Sequence, residues 1–249
     1  MGELVHQFHV REANILAKAS EHIIMEVAVK HGGFVAGGAV RSVFASEKIS
    51  DFDIFFPDKS AFGACCNDLA KECDCDGHFK YNFTKTDSAW SYFTDRKQHF
   101  QLICAAFGNI EEILNSFDFT ICMGAWIPQT RIGEFVFGEH FMKHIAQRRL
   151  CFNVNAEYPI ASLWRLMKYT ERGYKLPAIE AIKLALKIHD IKINTHEDLK
   201  RQLMGIDTIF LSALTDALGN LNVGASYDFG EAIEMIAKFV NEKESENLE

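Results

Sequence analysis

The sequence predicts an α+β protein, with a front part in which helices flank a mixed or antiparallel sheet and a back part made of helices alone. Three observations lead to this reading. Segments with period-two alternation, above all 51–56 and 99–107, are separated by helix-length stretches through the first 155 residues. From Tyr158 onward only the helical period is present. A glycine turn, Gly37-Gly38, stands where a short strand passes into a helix.

The elements follow in order. Ile15, Ala19, Ile23, Ile24 and Val27 share one helical face, so 11–30 reads as a helix that Gly32-Gly33 stops. Residues 34–36 form a short strand and 39–47 a short helix. Alternation over 51–56 marks a strand that Pro57 closes. Asp58 can N-cap a helix over 58–72. Strands are expected at 79–84, 89–94 and 99–107, then a short helix that Asn109 caps and that runs to Leu114. Helices at 159–172, 178–189, 197–204, 208–218 and 230–240 complete the chain. The expected division is a catalytic front domain, 1–155, and a helical domain, 156–249, with an acidic tail.

At 249 residues the chain is long enough for a sizeable core. Its 48% hydrophobic and 24% charged content is that of a soluble globular protein. Every apolar run is interrupted well short of the roughly 20 residues of a membrane helix. The start lacks the pattern of a signal peptide, and Gln7 stands near where myristoylation at Gly2 would want Ser or Thr. A cytoplasmic protein with no membrane partner is expected.

Net charge is −8, which argues against a surface that grips nucleic acid everywhere. The region 143–201 nonetheless carries twelve Lys/Arg against six Asp/Glu. Arg165, Lys168 and Arg172 fall on one side of a helix, with Trp164, Met167 and Tyr169 interleaved. This reads either as an RNA-contacting face with stacking aromatics or as a solvated face over a Trp164/Met167 core. Seven cysteines do not suggest a disulfide framework. Cys65, Cys66, Cys73, Cys75 and His78 lack the paired hooks of a zinc site and are read as reduced thiols on and beside a helix. Cys104 and Cys122, inside apolar runs, are expected in the core. His140 and His144 have helical spacing but no third ligand.

The chemistry concentrates at the front. Residues i and i+2 of a strand share a face, so Asp51 and Asp53 project together while Phe52 and Ile54 point inward. Two carboxylates this close repel unless a cation lies between them, and magnesium is a hard cation that suits carboxylate and phosphate oxygens. Upstream, Gly37-Gly38 lets the backbone approach a phosphate, and Arg41 stands in the first helical turn. Taken alone, either motif reads more simply as a tight turn or as solvent-facing charge. Together they favour a site for a triphosphate on metal.

Ala36-Gly-Gly-Ala-Val-Arg-Ser42, followed by Asp51-Phe-Asp-Ile-Phe55, resembles the head of the DNA polymerase β nucleotidyltransferase superfamily. The branch it looks most like is the tRNA nucleotidyltransferase (CCA-adding) and poly(A) polymerase group. Phe117-Asp-Phe-Thr-Ile121 resembles a nucleotide-holding segment of that group, and Tyr158 to Tyr174 more loosely its following helix.

The resemblance implies a polymerase β-like head with two magnesium ions (or manganese) on Asp51 and Asp53. It implies that Gly37, Gly38, Arg41 and Ser42 hold the triphosphate and that Asp118 serves the sugar or metal. Arg165 and Lys168 would face the base or the acceptor. The implied reaction is transfer of a nucleoside monophosphate from an NTP to a hydroxyl of an RNA, with tRNA favoured. Three residues depart from the pattern: Ser42 stands for Asp, Phe117 for Arg and Cys122 for Asn. The family's third carboxylate is also missing from 99–107, where Gln101 stands; Asp118 or Asp95 would have to replace it. The competing readings are a nucleotide- or RNA-binding pseudoenzyme and a toxin-type transferase with another acceptor.

Overall fold

The computed structural model describes residues 4–71, 82–128 and 133–203, together with Asp228, Gly230, Ile233 and Glu234. The elements run β1 (Val5–Gln7), α1 (Val10–Ala19), α2 (Ile23–Lys30), β2 (Phe34–Ala36), α3 (Gly38–Phe44), β3 (Phe52–Phe56), α4 (Lys59–Ala70), β4 (Asn82–Lys85), β5 (Ala89–Phe93) and β6 (His99–Phe107). After these come α5 (Ile110–Ser116), a 3-10 turn (Thr120–Cys122), β7 (Gly124–Ile127), β8 (Glu134–Phe137), α6 (Phe141–Ala146), α7 (Pro159–Glu171), α8 (Ala178–His189) and α9 (His196–Gln202). The expected helices over 208–218 and almost all of 230–240 lie outside the described residues.

The chain divides into two compact units. The first comprises Met1–Ala156 with Tyr174–Glu180, and the second Glu157–Gly173 with Ala181–Glu249. The first holds one eight-stranded sheet in the order β1-β8-β7-β2-β3-β6-β5-β4. Neighbours are antiparallel except β3 and β6, which run parallel. This is the α+β architecture that the alternating segments predict.

The two faces of the sheet follow from side-chain alternation. One face carries Val35, Phe52, Ile54, Phe56, Phe100, Leu102, Phe135 and Phe137, all buried. Phe44 of α3 meets Phe135 and Phe137 edge-on at 5.2 Å each, and Phe62 of α4 meets Phe56 at 5.7 Å. On the other face Phe34, Ala36, Phe55, Ala125 and Val136 pack against Ile113 and Leu114 of α5. Asn109 starts α5 with a capping box: its side chain accepts from Glu112 N–H, and the Glu112 carboxylate accepts from its own N–H.

One expected helix is two. Residues 11–30 break at Ser20–Glu21, where polar groups take over the free helix ends. Ser20 Oγ donates to Leu16 O at 2.8 Å, Gln98 Nε2 donates to Ala19 O at 2.8 Å, and His22 Nδ1 accepts from Ile24 N–H. The apolar period runs straight across the break, so periodicity does not reveal it. At the far end Gly32, with φ of +78°, ends α2 where the Gly32-Gly33 stop was expected. Asp58 caps α4, accepting from Ala61 N–H at 2.8 Å.

The described residues of the second unit are mainly helical. Within it α7 and α9 pack together, and Gln202 Nε2 donates to Glu157 O at 3.0 Å. Trp164 and Met167 are 36% and 49% exposed, so they are not the core of α7; Ala161, Ser162 and Tyr169 are buried instead.

Candidate active site

β2 and β3 place the two front motifs side by side. Phe34 pairs with Phe55 and Val35 with Ile54, so the antiparallel register carries Ala36 and the glycine turn to the same sheet end as Asp53 and Asp51. Phe52 and Ile54 are buried, whereas Asp53, on the opposite face of β3, and Asp51, one residue before the strand, are half-buried. The Ser50 hydroxyl donates to Asp51 Oδ1.

Gly37 holds a backbone that side chains resist, φ +83° and ψ −123°, and its N–H donates to Gly124 O at 2.9 Å. A Cβ there would lie 3.3 Å from Phe117 Cζ. At Gly38 a Cβ would meet no heavy atom within 4 Å, so the backbone there faces open space. An open glycine backbone beside two half-buried carboxylates suits a polyphosphate approached from outside the sheet. The donor set, two hard carboxylates two residues apart at one strand end, fits a divalent cation of the magnesium type.

Asp118 arrives by a different route. α5 ends at Ser116, and Phe117 packs edge-on against Phe55 at 5.7 Å while lying against Gly37. Asp118 follows, 4% exposed, and its carbonyl accepts from Asn153 N–H at 2.7 Å. Among the described residues no group of three or more His, Cys, Asp or Glu side chains is placed to share a metal ion.

β6 occupies the parallel position beside β3, with Asp53 opposite Gln101 and Phe52 opposite Phe100. Gln101 therefore shares the carboxylate face next to Asp53. His99, two residues earlier on that face, lies 3.3 Å from it between Nε2 atoms and stacks on Phe93 at 4.1 Å. Asp95, the other substitute for a third carboxylate, is exposed in the turn between β5 and β6.

Arg41 and Ser42 turn away from the open edge. Both are 2% exposed. Arg41 Nη2 donates to Ser42 Oγ at 3.1 Å and lies 3.3 Å from Glu47 Oε2. Arg148 Nη1 also pairs with Glu47, its Nη2 donates to Ala45 O at 3.1 Å, and its guanidinium lies 5.0 Å from the Tyr174 ring centre. Burial, then the Glu47 charge, raises the Tyr174 pKa above its ordinary value. For Arg41 to reach a phosphate it would have to exchange this ion pair. The bracing by Glu47 and Arg148 escapes sequence reading, because a hundred residues separate the partners.

Arg165, half-buried, and Lys168, exposed, lie on α7 in the second unit. Cys65 and Cys66 are buried on α4, and burial pushes each thiol up to about 12. Cys73, Cys75 and His78 lie outside the described residues. Cys122 is 4% exposed as expected of a core residue, but Cys104 is only half-buried and its thiol donates to Asp87 O at 3.4 Å.

Comparison with known proteins agrees on the fold. The chain is similar to a CCA-adding enzyme solved with ATP, at a TM-score of 0.57 and 15% identity, over 94% of this chain and 54% of that one. It is similar in the same way to the Thermotoga maritima CCA-adding enzyme complexed with tRNA, at a TM-score of 0.53, 14% identity and the same coverage. At such identities the likeness shows a polymerase β-like nucleotidyltransferase fold. In sequence the chain is 34% identical over 231 residues to "Gabija anti-defense 2" of Bacillus phage SPbetaL7, covering 91% of this chain and 54% of that protein. It thus spans about half the length of the relatives it matches. Residues 10–148 match the model of the Gabija anti-defense 2 (Gad2) family. The chain belongs to the Gabija anti-defense 2 family, built on a nucleotidyltransferase fold.

Proposed function

We propose that this chain is a magnesium-dependent nucleotidyltransferase that moves a nucleoside monophosphate from an NTP to a hydroxyl, releases pyrophosphate, and by that transfer counteracts the Gabija defence. The observation that carries the reading is the β2–β3 register, which sets the Gly37-Gly38 turn, open at Gly38, beside Asp51 and Asp53. Asp51 and Asp53 would hold the metal, which when bound offsets charge on the triphosphate and on the attacking and leaving oxygens. Gly38 lines the phosphates with its backbone N–H, Gly37 makes the turn that presents it while its own N–H stays on Gly124 O, and Asp118 orients the sugar. Arg41 and Ser42 act from beneath, by fixing the helix that the glycine turn opens.

An RNA 3′ end, tRNA-like, is the proposed acceptor, with Arg165 and Lys168 contacting the base or the acceptor strand. What supports it is that CCA-adding enzymes of this fold have been solved with ATP, with CTP and with tRNA. The exposed Trp164 and Met167 beside these cations offer stacking surface. The proposed setting is the cytoplasm, where NTP is plentiful.

A second reading has one specific observation behind it. Gln101, not a carboxylate, neighbours Asp53, which favours a protein that binds nucleotide and withholds it without transfer.

Incubating the chain with α-labelled NTPs, magnesium and total RNA separates the two. Labelled RNA is expected from the wild type, and Asp53→Ala should lower the rate by about 10²–10³-fold, the scale of losing a charge-stabilising group. Nucleotide binding without label in any product would establish the second reading. Label that travels with protein would move the acceptor away from RNA.

A further inference from the structure

Away from the carboxylate edge, one cluster in the first unit sets a sulfur among an imidazole, a guanidinium and a hydroxyl. Cys151, half-buried, follows α6. Its Sγ lies 3.6 Å from His144 Nε2 and accepts the Arg149 Nε–H at 3.4 Å. The other ring nitrogen, His144 Nδ1, lies 2.7 Å from Thr120 Oγ1. A hydroxyl can accept, so a proton on Nδ1 is held by Thr120 and leaves the Nε2 lone pair aimed at the sulfur. His144 is 7% exposed. Burial, then His140, Arg149 and Lys143, lower its pKa, which keeps the ring neutral and able to take a proton at pH 7.

The other described thiols differ in kind. Cys65, Cys66 and Cys122 are buried. Cys104 is half-buried like Cys151, but its sulfur faces the Asp87 carbonyl rather than a base. Cys104 is thus a built-in control of similar exposure.

We propose that Cys151 is a reactive thiol, a modification site for peroxide and small soft electrophiles, with His144 as its base and with Thr120 and Arg149 as positioning residues. A nucleophile, a base and a group that orients the base, each within reach of the next, form the arrangement that activates a weak nucleophile. With hydrogen peroxide, the thiol proton passes to His144 Nε2 and the sulfur attacks one peroxide oxygen. The O–O bond breaks, and the departing hydroxide takes the proton from the ring to leave as water. The sulfur is oxidised by two electrons to a sulfenic acid, and the peroxide is reduced to water. With iodoacetamide the sulfur attacks the methylene carbon, iodide leaves, and the proton passes through the ring to solvent.

The position gives the modification a consequence. Thr120 N–H donates to Cys151 O at 3.1 Å, Asn153 N–H donates to Asp118 O, and Phe119 bridges Phe152. The cysteine segment is therefore laced to the segment that carries Asp118. A group added to Sγ occupies the space between His144 and Arg149 and breaks the Thr120–His144–Cys151 chain. Reduced nucleotidyl transfer on oxidation would follow; that step rests on the proposed function, whereas the reactivity of Cys151 does not.

The test is per-cysteine labelling of the native chain with limiting iodoacetamide, read by mass spectrometry. Cys151 is expected to react ten- to a hundredfold faster than Cys104, on the order of general-base assistance. His144→Gln should bring its rate down to that of Cys104. Because a buried histidine can matter to folding, Arg149→Gln on a half-buried side chain is the second variant, with a severalfold drop at Cys151 and no change at Cys104. Exposure to peroxide followed by dimedone should give an adduct at Cys151. Equal rates at Cys151 and Cys104 in the wild type, a Cys151 rate unmoved by both variants, or no dimedone adduct would overturn the proposal. These readouts need no transferase activity, so they stand apart from the outcome of the NTP assay.

Discussion

The two halves of Gly37–Ser42 are adjacent in sequence and opposite in environment. Gly38 faces open space beside the carboxylate edge, whereas Arg41 and Ser42, a helical turn later, are 2% exposed and tied to Glu47. Helix α3 is the reason: its first residues emerge at the end of the central strands, and its last turn is driven against the segment around Arg148 and Tyr174. The motif is thus open at its glycine end and anchored at its arginine end. Residues of one motif need not share one ligand.

The contrast is broken most severely at Glu47, the shared partner of two arginines. Glu47→Ala should destabilise the chain by about 3 kcal/mol in urea unfolding, because it strands a buried guanidinium. A loss below about 1 kcal/mol, the scale of surface pairs, would mean that Arg41 finds another partner and anchorage is the wrong description. At the other end the glycines divide the two effects. Gly37→Ala should cost about 1–3 kcal/mol of stability, since it forces a side chain into a glycine-only backbone. Gly38→Ala should leave stability within about 0.5 kcal/mol and still weaken Mg-ATP binding by about tenfold in calorimetry, roughly one charge-assisted hydrogen bond. Unchanged affinity at Gly38 would move the phosphates elsewhere.

Gln101→Asp sharpens the open side. It sets a third carboxylate opposite Asp53, and transfer to labelled RNA is expected to rise about tenfold. No rise would mean that Gln101 is not what limits the reaction.

The smallest effect belongs to scaffold far from either end. Asp68 on α4 accepts from Lys30 at 2.7 Å, Lys71 at 2.7 Å and His31 at 2.9 Å, and these bonds hold its carboxyl well below the usual carboxylate range. Its folded pKa is depressed, so its contribution is present above about pH 4 and fades as pH falls below that through the folded value. Asp68→Asn should lower Tm slightly at pH 7, and the gap to wild type should narrow towards pH 2. A gap that widened in acid would contradict that linkage.

Much of the fold was legible because its signals are local. Asp58 and Asn109 mark helix starts by side-chain capping, and 51–56 alternates because one face of β3 is apolar and the other carries the carboxylates. β7 and β8 escaped, since Phe135, Val136 and Phe137 are buried in succession and a strand covered on both faces does not alternate. The split between α1 and α2 escaped too, because the groups that make it include Gln98, almost eighty residues away.

Gly37, Gly38, Asp51 and Asp53 could be picked out as a candidate site from spacing alone. What the chain order could not supply was company. That Gln101 neighbours Asp53, that Glu47 holds Arg41 and Arg148 together, and that His144 faces Cys151 were decided by tertiary structure. The two carboxylates lie within three residues, so their nearness follows from the chain itself. The other pairings depend on which strands and loops meet, and that choice belongs to the burial of a whole core, which leaves no mark at any one position.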